Sequence, residues 1–257
     1  MIELDRVSKR YDGVGVPAVD SVSLAVERGE LVGLIGESGC GKTTTLKMIN
    51  RLEDPTSGAI YVNGEDVQAH DPVQLRRGIG YVFQGVGLFP HCSVQKNVSA
   101  VPELLGWESS RILERVDEVL SMVGLPPEDY RDRRPGELSG GQQQRVGVAR
   151  ALAAKPEVIL MDEPFGALDP ITRAELQDEY TRIHRSLNLT AIMVTHDMSE
   201  ALLMADRIAV MKDGNILQFD TPRALLNQPE HEFVRQMVEL PKQRADSIED
   251  LMDERSQ

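Results

Sequence analysis

The stretch "LVGLIGESGCGKTTTLKMINRL" constrains the fold of this chain more than any other. A short, wholly apolar run predicts a strand buried on both faces, the glycines after it a tight loop, and the run beyond Lys42 a helix. The loop, Gly36 to Thr44, matches the pattern G-x-x-x-x-G-K-[ST] and stands in the strand, loop and helix order that the pattern requires. Glycines let the backbone curl until successive N–H groups point at one anion, and a lysine beside them supplies full charge. On this reading Gly36, Glu37, Ser38, Gly39, Cys40, Gly41, Lys42, Thr43 and Thr44 cradle a run of phosphates. Lys42 then spans the β- and γ-phosphates and the Thr43 hydroxyl ligates Mg²⁺.

Further apolar runs bounded by turn residues predict strands: "IGYVF" from Ile79, "VILM" from Val158, "AIMVT" from Ala191 and "RIAVM" from Arg207. Helical spacing lies between several of them, at Ile112, Val116, Val119, Leu120 and Val123, and again at Leu176, Tyr180, Ile183 and Leu187. The second helix has a start signal in Asp169 as cap and Pro170 in the first turn. Strands alternating with helices predict a parallel α/β sheet. Asn63-Gly64 and Asp213-Gly214, each between apolar runs, are tight-hairpin dipeptides, so an antiparallel portion is expected to flank that sheet. From about residue 90 to 156 there is no clear strand and two helical patterns, which predicts a helical insertion. The polar tail from Pro241 is expected to fray.

Ligands of open α/β sheets bind beyond the carboxyl ends of the strands, and several strand ends here carry polar groups. "VILMDEP" ends in adjacent acids, with Asp162 placed for the Mg²⁺ shell and Glu163 to orient or deprotonate an attacking water. Gln84 follows "IGYVF" and His196 follows "AIMVT". Tyr11, in "SKRYDG", offers a ring that could stack on adenine. His70, His91, His184 and His231 lack such placement and read as ordinary residues. Most unusual is "LSGGQQQRVGVARAL" from Leu138: serine and glycines lead into a helix-like run, which presents free N–H groups to an anion, yet no lysine completes the site.

Composition narrows the partners. A formal charge of −13 and a pI near 4.9 argue against a general nucleic-acid binder, which needs a basic face. Cys40 and Cys92 have no metal-site spacing, and with no leader-like segment at the N-terminus a reducing, cytoplasmic setting is expected. The apolar runs fall far short of the roughly 20 residues that cross a bilayer, so a membrane role must come through a partner.

With "GESGCGKTT", Gln84, "LSGGQ", "VILMDEP", "GALD" and His196 in this order, the chain resembles the nucleotide-binding subunit of an ABC transporter over roughly residues 1 to 235. The resemblance implies a P-loop NTPase, with a RecA-like parallel-sheet core at residues 1–89 and 157–240, an antiparallel β subdomain, an inserted helical subdomain at about 90–156, and a flexible tail at 241–257. It implies an ATPase using ATP and Mg²⁺, and it accounts for the second half-site by an ATP-dependent, head-to-tail homodimer. Each ATP would lie between the phosphate loop of one subunit and Ser139, Gly140, Gly141 and Gln142 of the other. Asp169 would connect the two sites, His196 would contact the γ-phosphate, and Gln84 would ligate the metal and link the site to integral-membrane permease subunits. A helix N-terminus carries only ~0.5 of a positive charge, which suits a helper to Lys42 better than an independent site. Gly166 departs from the serine that many relatives place before "ALD", and the loop is expected to be the more flexible for it.

"VFQGVGLFPHCSVQKNVSAVPELLGW" and "RPGELSGGQQQRVGVARALAAKPEVILMDEPFGALDPITR" are similar to the ATPases of importers for quaternary-amine osmoprotectants such as glycine betaine, carnitine and choline. That resemblance implies a cytoplasmic subunit, peripheral on the membrane through its permease and served indirectly by a solute-binding protein. Several such relatives continue into paired CBS modules, where this sequence has only the short tail, and regulation of that type is not expected. Three readings stay open beside it: an ATPase for another solute or for export, a soluble factor acting on nucleic acid or ribosomes, and a nucleotide sensor without turnover.

Overall fold

The computed structural model describes residues 1–254 apart from Val14, Val86 and Ala167, with side chains described as far as Gln243. Ala167 of "GALD" and the end of the tail therefore lie outside the described residues. In chain order the strands are β1 (Ile2–Lys9), β2 (Val19–Val26), β3 (Leu31–Gly36), β4 (Ser57–Val62), β5 (Glu65–Asp66), β6 (Ile79–Val82), β7 (Val158–Asp162), β8 (Thr190–Thr195), β9 (Arg207–Lys212) and β10 (Asn215–Asp220). The helices are α1 (Lys42–Ile49), α2 (Pro72–Gly78), α3 (Val94–Leu104), α4 (Ser109–Met122), α5 (Pro127–Tyr130), α6 (Gly140–Leu152), α7 (Pro170–Leu187), α8 (Met198–Met204), α9 (Pro222–Asn227) and α10 (Glu232–Glu254).

The main sheet has the order β10-β9-β3-β8-β7-β6 and is parallel from β9 to β6. Its central strands β3, β8 and β7 are buried throughout and mostly apolar because both faces are covered. Leu31 and Ile35 of β3, with Ala191 and Met193 of β8, pack into a core shared with α4, α6 and α7. Val32 and Leu34, with Ile192 and Val194, face a second core built on α1 and the smaller sheet. Side chains alternate between the two cores with the strand period of two.

The smaller sheet, β2-β1-β4-β5, is antiparallel. Its first two strands escape a search for continuous apolar runs because they alternate: Ile2 and Leu4 are buried while Glu3 and Asp5 are exposed. Both predicted hairpins form, but only β4–β5 lies in this sheet, since β9–β10 extends the edge of the main one. The region between β6 and β7 is helical as expected, with α3, α5 and α6 in addition to the periodic α4. Glycine and glutamine dilute the apolar stripe of α6, which hid it from a period count. Past Pro241 the backbone continues as helix to Glu254, through the polar stretch expected to fray. Proline ends a helix chiefly by removing an N–H to the preceding turn, and here the helix runs through it.

Candidate active site

Strands β3, β8, β7 and β6 are neighbours, and each ends at the same edge of the sheet in a functional group: the phosphate loop, His196, Asp162–Glu163 and Gln84 respectively. The parallel registers Ile35 to Thr195 and Asp162 to Val194 bring these ends level.

The phosphate loop is shaped by what lies under it. Gly41 has φ 106°, and a Cβ there would run into the carbonyl of Ala18, where the β1–β2 loop carrying Tyr11 returns to the sheet. Only glycine serves at this position. Gly41 is the N-cap of α1 and Thr43 and Thr44 lie in its first turn, whose N–H groups have no intrahelical acceptor. Lys42 is buried, and its Nζ donates to the carbonyls of Gly36 at 2.7 Å and Glu37 at 2.8 Å. Among the described residues no carboxylate lies within ion-pair distance of that ammonium. A buried cation beside N–H groups of a helix start, with no carboxylate paired to it, is chemically suited to an anion. The buried Cys40 thiol lies 3.8 Å from Nζ, and burial pushes its pKa up. Tyr11 is partly exposed, with the Lys9 ammonium 5.1 Å above its ring.

Thr43 Oγ1 donates to Asp162 Oδ1 at 3.0 Å. Burial raises the pKa of Asp162, and the bond from Thr43 opposes that shift in part. A hydroxyl and a desolvated carboxylate side by side form the hard-oxygen donor pair that suits Mg²⁺, which is usually held by one or two protein oxygens plus phosphate and water. Gln84 can add its carbonyl oxygen, since its amide Nε2 is used elsewhere: it donates to Glu163 Oε2 at 3.0 Å. The other carboxylate oxygen of Glu163 is 3.5 Å from His196 Nδ1. Glu163, His196 and Gln84 thus form one cluster, with the carboxylate gripped from both flanking strand ends.

The backbone of Glu163 has φ 46°, the left-handed region that a non-glycine residue adopts at a cost. Its N–H donates to Val194 O at 2.9 Å, which turns the chain off the sheet and aims the carboxylate outward. Gly166 is not forced by sterics. An added Cβ would sit 3.6 Å from Glu163 Oε2, ordinary contact.

The "LSGG" stretch is a capped helix start. Ser139 Oγ accepts from Gln142 N at 3.3 Å and Gln142 Oε1 accepts from Ser139 N at 2.9 Å, a capping box that fixes the first turn of α6. Ser139 and Gly140 are exposed, while Gly141 is pressed so close to Thr172 that a Cβ would overlap its methyl. Gln142 faces back into its own chain, its Nε2 donating to Tyr130 Oη at 3.1 Å, so its side chain serves the cap. Asp169 caps α7, accepting from Thr172 N at 3.0 Å, and the Thr172 side chain, then that backbone bond, lower its pKa while the side chain stays exposed.

Sequence reasoning missed three side chains. Arg173 donates from Nη2 to Leu168 O at 3.1 Å and has Nη1 3.7 Å from Asp197, the cap of α8, so it ties the Asp169 segment to the His196 segment. Arg150 donates to Gly87 O at 2.7 Å, holding the segment after Gln84 to α6. Gln144 is buried with an unpartnered amide. No local pattern marks these residues, because each acts across elements distant in sequence.

The ABC transporter family pattern matches residues 19–166, more than half of the chain. The chain belongs to the ABC transporter family. The glycine betaine/carnitine/choline transport ATP-binding protein OpuCA of Bacillus subtilis is 56% identical over 93% of this chain and 62% of its own length. The choline transport ATP-binding protein OpuBA of the same organism is 54% identical over the same shares, so the chain spans about six-tenths of these relatives. The glycine betaine uptake system ATP-binding protein YehX of Escherichia coli is 50% identical over 92% of this chain and 76% of its own length. A dimeric structure of the ATP-binding cassette MJ0796, in a post-hydrolysis state bound to ADP and Pi, matches with a TM-score of 0.77 at 34% identity. It covers 87% of this chain and 99% of that one. The P-loop NTPase fold, with its parallel core and flanking antiparallel sheet, is therefore that of an ABC cassette.

Proposed function

We propose that this chain is an ATPase subunit that powers import of a quaternary-amine osmoprotectant, such as glycine betaine, carnitine or choline, through separate membrane-permease subunits. The observation that carries the chemistry is the convergence of Lys42, Thr43–Asp162 and a Glu163 carboxylate held by Gln84 and His196 on one sheet edge. ATP binds with its phosphates on the free N–H groups of the loop and on Lys42, and its adenine against Tyr11. Thr43, Asp162 and Gln84 would hold Mg²⁺, which would supply positive charge against the phosphates. Glu163 accepts a proton from the attacking water as its oxygen adds to the γ-phosphorus and the bond to the β–γ bridging oxygen breaks. The electron pair of that bond leaves with ADP. His196 and Gln84 keep the carboxylate aimed, and His196 reaches the γ-phosphate.

The exposed first turn of α6 supports a head-to-tail homodimer: it is a second anion site with no cation of its own, so it serves a nucleotide already held by another subunit. Asp169, exposed at the cap of α7 and bonded to Thr172, the residue packed on Gly141, joins the two sites on this reading. The dimeric MJ0796 structures are consistent with that arrangement. Among the described residues no helix is long and apolar enough to cross a membrane. A groove of about 190 Å³ lined by Leu52, Tyr81, Phe83 and Val101 supports a permease as the partner. Leu52 and Phe83 are exposed there, and Phe83 precedes Gln84, so a permease helix seated in the groove reaches the active site through one peptide bond. The names of relatives that are half identical or more support the solute class, and a solute-binding protein then delivers the solute to the permease.

The test is steady-state phosphate release by the purified chain and by Lys42→Ala. A loss of about 100-fold or more is expected, since an anion clamp and its positioning are removed together. Equal rates would sink the ATPase reading. Uptake of radiolabelled glycine betaine by vesicles holding the chain and its permease tests the solute.

A further inference from the structure

Gln144 lies on α6 shortly beyond the exposed helix start, is 5% exposed, and has no hydrogen-bond partner for its Nε2. It lines a cleft of about 290 Å³ together with Gln84, Gly85, Glu163, Pro164 and Gly166. A buried amide without a partner lowers stability, and native chains rarely keep one without a use. The cleft wall opposite is the segment that orients the Glu163 carboxylate, through Gln84 Nε2 at 3.0 Å. Arg150, farther along α6, already holds the same segment at Gly87 O. A helix is stiff along its axis, so seating Ser139, Gly140 and Gly141 on a phosphate shifts Gln144 against that wall.

We propose that Gln144 is a positioning residue: its carboxamide takes hold of the Gln84–Gly85 segment when two subunits close on nucleotide. The start of α6, docked on the nucleotide of the other subunit, thereby sets Gln84 and Glu163 in its own. This rests on the ATPase and dimer reading above. It makes Gln144 a coupling element between the two sites beside Asp169, one helix serving both, and it explains why an unpaired donor is kept at the wall of the cleft.

The test compares the full chain with Gln144→Met, which keeps length and volume but removes both polar atoms. Relief of an unmatched polar group raises Tm by about 2–4 °C. Over the same comparison kcat falls by about 10-fold or more while KM for ATP stays within about 2-fold, the pattern of an interaction made only in the transition state. The Hill coefficient for ATP falls toward 1, and dimer formation in ATP, measured in a Glu163→Gln background, is retained. Gln144→Asn, which keeps the amide on a shorter arm, recovers part of kcat. A Met variant that turns over as fast as the parent overturns the proposal, as does a kcat loss that comes with lower Tm and lost dimerisation, the mark of a merely structural role. A parent chain that releases no phosphate overturns the ATPase reading and this proposal with it, whereas an active parent matched by Gln144→Met overturns this proposal alone.

Discussion

On the proposed mechanism Glu163 carries two burdens that substitution can separate: its carboxylate would take the proton, while its backbone sits at φ 46°. A left-handed backbone costs an ordinary residue roughly 1–2 kcal/mol, and asparagine is several-fold enriched there because its short side chain bonds locally. Glu163→Gln keeps the backbone cost, the side-chain length and one carbonyl oxygen, which can accept from Gln84 Nε2 as Oε2 does. Glu163→Asn removes most of the backbone cost but withdraws the side-chain head from both neighbours. Those contacts are weak contributors to stability: His196 is 62% exposed and Glu163 25% exposed, so the pair is worth about 0.2–1 kcal/mol at most. The backbone term therefore outweighs the lost contacts in the difference between the two variants. Asn is expected to be more stable than Gln by about 1 kcal/mol, or about 2–4 °C in Tm. Both lose turnover by about 10²–10⁴-fold, the usual worth of a positioned base. Gln alone still accumulates a closed dimer in saturating ATP and Mg²⁺, because its side chain reaches the same partners. Calorimetry, phosphate release and size-exclusion chromatography read the three outcomes. An Asn variant no more stable than Gln refutes the strain argument, and a Gln variant with turnover within a few-fold of the parent refutes the assignment of Glu163 as base.

Two further outcomes test the frame around that site. Gly141→Ala places a Cβ on the Thr172 methyl and is expected to weaken ATP-driven dimerisation by displacing the start of α6, and Thr172→Ser, which deletes that methyl, should restore it in the double variant. Recovery absent by analytical ultracentrifugation would mean that the contact does not set the helix. Burial holds the pKa of His184 below the usual histidine value, so the unfolded chain takes up the proton first as pH falls through about 6.5. Its contribution therefore costs no stability above about pH 7.5 and progressively lowers it below, by at most about 1.4 kcal/mol per pH unit. Urea midpoints from pH 8 to 5.5 should fall less steeply for His184→Gln than for the parent, and parallel slopes would remove His184 as the cause.

What the chain announces in its own order is the set of groups whose requirements are local. Gly41 needs a backbone freedom only glycine has, Asp169 and Ser139 cap helices through atoms a few residues away, and the central strands are apolar because water reaches neither face. Those features can be read from short windows, and they carry the phosphate loop, the acid pair and the order of the half-sites. Strands β1 and β2 were legible too, in their alternation, though not to a search for continuous apolar runs. Other features depend on residues far apart in sequence meeting in space. The neighbour order β3, β8, β7, β6 places Gln84 and His196 on opposite oxygens of Glu163, and no sequence window spans the three. Arg173, Arg150 and Gln144 are an ordinary arginine pair and a glutamine in the sequence, and gain meaning only where α6 and α7 lay them against loops from other strands. The reason is energetic: a cap or turn is satisfied by its own backbone, whereas a buried polar side chain is satisfied, or left wanting, by whatever the folded chain brings to it.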